Sequence, residues 1–91
     1  MTVLIMEKVS PSLRGECTRY LLEIKAGVFI GTVTAVVREK LWETVKSKCD
    51  EGNCLIAYSS NNEQGFLMEV YGDPKRTIVD FDGLQLIKIQ Q

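Results

Sequence analysis

Gly27-Val28-Phe29-Ile30-Gly31 is an apolar run closed at both ends by glycine, and it reads as one short β-strand. Its position decides the fold, because helical patterns lie on both sides of it. On the N-terminal side, Ser10-Pro11-Ser12 supplies a capping hydroxyl and a proline for a first helical turn. Leu13, Cys17, Tyr20, Leu21 and Ile24 follow at helical spacing, which predicts a helix over about residues 11–24. On the C-terminal side, Thr32 or Thr34 opens a second helix in which Val33, Val37, Leu41 and Val45 recur four apart. That helix stops near Cys49, before Gly52-Asn53.

Upstream, Thr2 to Met6 is an apolar run ending at Glu7, and it suits a strand buried on both faces. Downstream the chain is all strand and turn. Cys54–Ser59, Phe66–Tyr71, residues 78–80 and Leu84–Ile89 are separated by Asn61-Asn62, by an Asp73-Pro74 turn and by Asp82-Gly83. Two helices on one face of a mainly antiparallel sheet describe a ferredoxin-like α+β sandwich with extra C-terminal strands. No repeat, low-complexity tract or linker interrupts residues 1–91, so a single domain is expected. In the last strand Leu84 and Leu86 fall on one face, Ile87 and Ile89 on the other. Either a bulge re-aims part of the strand, or the strand leaves its own sheet and pairs with another chain. The second reading gives residues from about 78 to 91 a role in dimer or partner contact.

The 91 residues are 45% hydrophobic and carry 11 Lys and Arg against 12 Asp and Glu, a net charge of −1. That balance excludes a globally basic nucleic-acid binder and leaves a local patch, doubled by dimer symmetry, as the route to nucleic acid. A chain this small buries only about 60 to 65% of its unfolded surface, so an oligomer that hides a further face is a natural remedy. There is no histidine, which excludes a Cys-His pair or a Ser-His-Asp triad within the chain. Cys17, Cys49 and Cys54 are unclustered and too few for structural zinc, and without a secretory leader pattern they are expected in a reducing cytoplasm. No apolar run approaches the roughly 18 to 20 residues that span a bilayer, so a soluble protein is expected.

Three places carry the chemistry worth testing. Gly72-Asp73-Pro74-Lys75-Arg76 sets two adjacent cations on a proline-fixed turn, in a half-chain (residues 51–91) with three cations and six acids. A bound anion such as phosphate accounts for that pairing, and so does an ordinary solvated turn. Arg14 falls near the start of the first helix, where the helix dipole disfavours a cation by roughly 0.3 to 1 kcal/mol, with Glu16 nearby to offset it. Beside the free amides of a helix start, Arg14 would strengthen a phosphate site. Neither place has base-reading or stacking residues beside it in sequence, so the contact implied is with nucleic-acid backbone. Glu7 could bind a hard cation such as Mg2+, alone or with a symmetry mate; one carboxylate is a poor metal site, and a solvated strand end is the plain alternative. Arg38, Lys40, Lys46 and Lys48 are interleaved with Glu39 and Glu43, the pattern of a solvated face.

Glu7-Lys8-Val9-Ser10-Pro11-Ser12-Leu13-Arg14-Gly15, Leu21 through Gly31, Gly65-Phe66 and Arg76 through Leu84 together resemble, in order and over nearly the whole chain, the CRISPR-associated Cas-two family, subtype I-E. The resemblance implies a ferredoxin-like homodimer that bridges two dimers of the Cas-one integrase and holds duplex prespacer DNA for insertion into the CRISPR array. It implies that the C-terminal strands help to hold the integrase. Arg14, Lys75 and Arg76 match basic family positions that contact the duplex backbone; Lys75 stands in place of an arginine, keeping the charge and losing the bidentate fork. Ser12 stands where the family can carry a further arginine. Glu7 matches the acidic position that, as aspartate in other branches, is assigned to Mg2+-dependent cleavage of RNA or duplex DNA.

Two functional classes follow: a DNA-binding scaffold in spacer acquisition, and, as the alternative, a metal-dependent endoribonuclease or deoxyribonuclease of the same family acting through Glu7 and its symmetry mate. A small-molecule regulatory domain is the third option, since ferredoxin-like dimers often serve that purpose.

Overall fold

A computed structural model describes residues 1–49 and 52–90. Asp50, Glu51 and Gln91, the last being the end of the expected C-terminal contact region, lie outside the described residues. The elements are β1 (Thr2–Met6), α1 (Pro11–Thr18), β2 (Leu22–Lys25), β3 (Val28–Gly31), α2 (Ala35–Lys48), β4 (Cys54–Ser59), β5 (Phe66–Tyr71), β6 (Arg76–Phe81) and β7 (Leu84–Ile89). Five strands form one sheet in the order β2-β3-β1-β4-β5, each neighbour antiparallel, while β6 and β7 form a separate ribbon. In the first unit α1 crosses from β1 to β2, and in the second α2 crosses from β3 to β4. The two units interleave, which is the ferredoxin-like arrangement, with β5 added at one edge.

The start of α1 follows the sequence. The Ser10 hydroxyl accepts from the Leu13 N–H at 3.2 Å and Pro11 opens the first turn. Its end does not: the expected helix over residues 11–24 stops at Thr18, and Leu22–Lys25 is a strand. Leu21 and Ile24 satisfy a helical spacing by coincidence, whereas Leu22-Glu23-Ile24-Lys25 alternates with period two, and the edge of β3 away from β1 gains a hydrogen-bonded partner only if the chain turns back there. The turn is made at Gly27, whose φ is +78° and where a Cβ would lie 2.2 Å from the Met6 carbonyl oxygen. Glycine is therefore required at residue 27 by both conformation and space. For α2, Thr34 rather than Thr32 is the cap, accepting from the Val37 N–H at 3.2 Å.

Both helices pack on one face of the sheet. Leu4, Phe29 and Ile56 sit side by side across β1, β3 and β4 and meet Leu13 and Cys17 of α1 and Leu41, Trp42 and Val45 of α2. The expectation that β1 is buried on both faces is corrected: Thr2, Leu4 and Met6 are buried, but Ile5 is 41% exposed, because none of the described elements covers the other face. Register assigns that face Leu22, Val28 and Ile30, then Val3 and Ile5, then Leu55 and Ala57, then Phe66, Met68 and Val70. Lys25, opposite Val28, and Ser59, opposite Phe66, stand at its margins. It is an apolar sheet surface running across all five strands.

β7 does leave the main sheet, but the expected pairing with another chain is corrected: it pairs with β6 of the same chain in an unbroken register from Arg76↔Ile89 to Phe81↔Leu84. The bulge reading is thereby removed. Asp82 and Gly83 both have positive φ, +52° and +83°, as a two-residue type I′ hairpin requires. Phe81, Leu84, Val79 and Leu86 form one exposed apolar face of this ribbon, with Phe81 64% exposed. On the other face Gln85 ties the ribbon to the sheet edge: its side-chain oxygen accepts from the Met68 N–H, and its backbone exchanges two 2.8 Å bonds with the Gln64 amide. Among the described residues no helix is long and apolar enough to cross a membrane.

Phe29 is the largest fully buried side chain and lies where both helices and three strands meet. Phe29→Ala is expected to destabilise the fold by about 3 to 5 kcal/mol, read as a lower urea midpoint with little change in slope.

Candidate nucleic-acid interface

The Lys75-Arg76 turn is built on Asp73. One Asp73 oxygen accepts from the Lys75 N–H at 2.9 Å and the other receives Arg76 Nη1 at 3.2 Å. The Asp73 side chain is only 10% exposed while Arg76 is 50% exposed. Gly72, with φ +85°, lets the chain enter the turn past the Gly52 carbonyl, 2.7 Å from where a Cβ would be. From the other side, the Gln90 N–H donates to the Lys75 carbonyl at 2.7 Å. The turn is thus held at both ends, with the side chains of Lys75 and Arg76 at the surface. Asp73 neutralises part of the Arg76 charge, and in return the amide of Lys75, with Arg76 beside it, holds the Asp73 carboxyl below its ordinary range.

Arg14 is paired as well, but not with the expected Glu16, which instead lies 3.9 Å from Arg19. Arg14 Nε is 3.0 and 3.1 Å from the two oxygens of Glu23 on β2, and Glu23 also accepts from the Gly27 N–H at 3.1 Å. The Gly27 bond first, and then Arg14, draw the Glu23 carboxyl below its ordinary range. Lys48, which the sequence assigns to a solvated face, reaches from the end of α2 to Ser12 on α1, Nζ to Oγ 3.4 Å. A cation therefore stands at the start of α1 where Ser12 supplies none.

One chain does not bring its two basic places together. Arg14 is tied to the edge strand β2 on the helix-covered side, whereas Arg76 belongs to the separate β6-β7 ribbon, and no hydrogen bond or cavity joins them among the described residues. Arg76 instead shares a cavity of about 170 Å3 with Glu7, Asp73 and Asn53, floored by Ile5, Leu55 and Val70 of the uncovered sheet face. Glu7 is exposed, and its N–H donates to the Asn53 carbonyl at 3.1 Å. Among the described residues the donor set does not fit Mg2+. Asp73, the other carboxylate in the cavity, already spends both oxygens on the turn, and no group of three or more His, Cys, Asp or Glu occurs among the described residues.

The cysteines are less scattered than their spacing suggests. Cys49 and Cys54 are both buried and bring their sulfurs together where α2 gives way to β4, 2.8 and 3.8 Å from the Gly52 carbonyl oxygen. Their Cα atoms are 7.5 Å apart, so closing a bridge of ordinary geometry would draw these two element ends closer. Cys17 is fully buried, and burial above all, with Glu16 and Glu23 adding to it, pushes its thiol up to about 11. A thiol that stays protonated at neutral pH is packing rather than a nucleophile.

A family model described as CRISPR-associated protein (Cas_Cas2CT1978) matches residues 1–86, and the chain belongs to this family of CRISPR-associated proteins, which is Cas-two-like. A general role in CRISPR function follows from that membership.

Because the folded Glu23 and Asp73 carboxyls lie below their ordinary values of 4.5 and 3.8, each contributes stability that is present above those values and lost as pH falls through the lower folded ones. Glu23→Gln/Asp73→Asn is expected to flatten the acid limb of the stability profile below about pH 4.5 and to leave its shape above pH 6 unchanged, measured by urea unfolding across pH.

Proposed function

We propose that this chain works as a structural, DNA-binding homodimer of the subtype I-E branch, bridging Cas-one integrase dimers and holding duplex prespacer DNA by its phosphate backbone. The observation that carries this reading is the apolar, helix-free sheet face that spans all five strands. A surface of that extent on so small a chain favours a second copy over water. Arg76 lines the cavity floored by Ile5, Leu55 and Val70 of this face, so pairing two copies through it brings two Lys75-Arg76 turns into one assembly. Arg14, at the far edge of each sheet, extends the basic track outward from there. Cations spaced in this way suit backbone recognition of a long duplex. The exposed ribbon face of Phe81, Val79, Leu84 and Leu86 is left for the integrase.

Support for the scaffold over the nuclease comes from the residues themselves. The basic turn is hydrogen-bonded at both ends and exposed, whereas among the described residues the acid at residue 7 has no second uncommitted carboxylate in its own cavity.

In duplex-DNA binding with the integrase across a salt series, Lys75→Ala/Arg76→Ala is expected to weaken the complex and make the salt slope shallower by about 0.9 for each phosphate no longer neutralised. An unchanged slope would return the turn to ordinary surface. Ile5→Asp, placing a charge on the uncovered sheet face, is expected to give a folded monomer by light scattering where the natural chain is a dimer. A monomeric natural chain at micromolar concentration would sink the dimer reading.

A further inference from the structure

We propose that Glu23 is a positioning residue for Arg14, holding its guanidinium by the Nε side so that the terminal N–H fork is presented to a DNA phosphate. The inference rests on the reading of Arg14 as a phosphate-binding residue. Among the described residues the guanidinium makes no hydrogen bond other than that to Glu23, and it runs through Nε, 3.1 Å from one carboxylate oxygen with the other 3.0 Å away. An arginine gripped at Nε keeps both terminal nitrogens for a second, bidentate partner.

Glu23 is suited to hold rather than merely to neutralise. It lies on β2 directly opposite Phe29, which is fully buried, so its backbone is fixed by the sheet. Its carboxylate is fixed in turn by the Gly27 N–H at 3.1 Å, in a turn where only glycine fits. The chain of interactions therefore runs from the β2–β3 turn through Glu23 to a side chain on α1. The helix itself has only eight residues, and without this tie a long flexible arginine would have to be ordered when DNA binds.

A carboxylate beside Arg14 also has an opposing effect, since it repels the phosphate. Positioning and repulsion predict opposite signs for Glu23→Gln, which keeps the shape and removes the charge. Binding of the full chain to a fluorescent mixed-sequence duplex is measured by anisotropy for the natural protein, Glu23→Gln, Glu23→Asp, Arg14→Ala and Arg14→Ala/Glu23→Gln, with thermal midpoints recorded for each. Positioning predicts that Glu23→Gln weakens binding about tenfold, and that the same change has no effect once Arg14 is alanine. Glu23→Asp, which keeps the charge but is too short to span Gly27 and Arg14 together, weakens binding similarly. A purely structural role would weaken binding equally in both backgrounds and overturns the proposal.

Tighter or unchanged binding by Glu23→Gln, with Arg14→Ala still weakened, overturns the positioning role and leaves Arg14 as a phosphate ligand. Undiminished binding by Arg14→Ala overturns the phosphate reading itself, and the positioning role with it. Should Glu23→Gln unfold, Glu23→Asp alone decides, since charge without reach would then bind like the natural protein if repulsion or bulk charge were all that mattered.

Discussion

β1 is the strand on which the two interleaved βαβ units meet. It hydrogen-bonds β3 on one side and β4 on the other, and its Leu4 forms a continuous buried row with Phe29 and Ile56. Both helices must land on that row, because α1 and α2 each connect two parallel strands separated by one antiparallel strand, and both crossovers share a hand. One face of the sheet then receives both helices. The other keeps its apolar residues without a described element of its own chain to bury them.

That asymmetry organises the charged sites too. Arg14 rides on the covered side and is tied to β2 through Glu23, while Arg76 lines a cavity on the uncovered face. Each cation has a carboxylate partner, so neither is a bare charge waiting for an anion. Glu23 and Asp73 each also accept a backbone N–H, from Gly27 and Lys75. In both places a turn anchors an acid and the acid anchors an arginine. Partly exposed ion pairs of this kind contribute little to stability; their value lies in direction.

Much of the fold was legible locally. The Ser10-Pro11 start, the strands from Cys54, Phe66 and Leu84, and the Asp82-Gly83 hairpin all depend on turn and capping chemistry that a few adjacent residues carry. β2 was not legible, because Leu21 and Ile24 fit a helix and a strand equally well until β3 is in place to accept a partner. Among the site residues, the Lys75-Arg76 turn could be read from its neighbours, and Asp73 three positions before Arg76 carried a signal of the pairing. Glu23 carried none, lying nine residues from Arg14 in a different element.

The sequence by itself determined most of the extended segments, the capped start of the first helix, and that the chain has no histidine chemistry, because these depend on residue type and near neighbours. It also carried the family resemblance that the match over residues 1–86 bears out at the level of a Cas-two-like CRISPR-associated protein. Only the tertiary structure decided which face of the sheet stays uncovered, which acid grips which arginine, and that Cys49 meets Cys54. Those depend on strand order and crossover, which bring together residues that no local pattern joins.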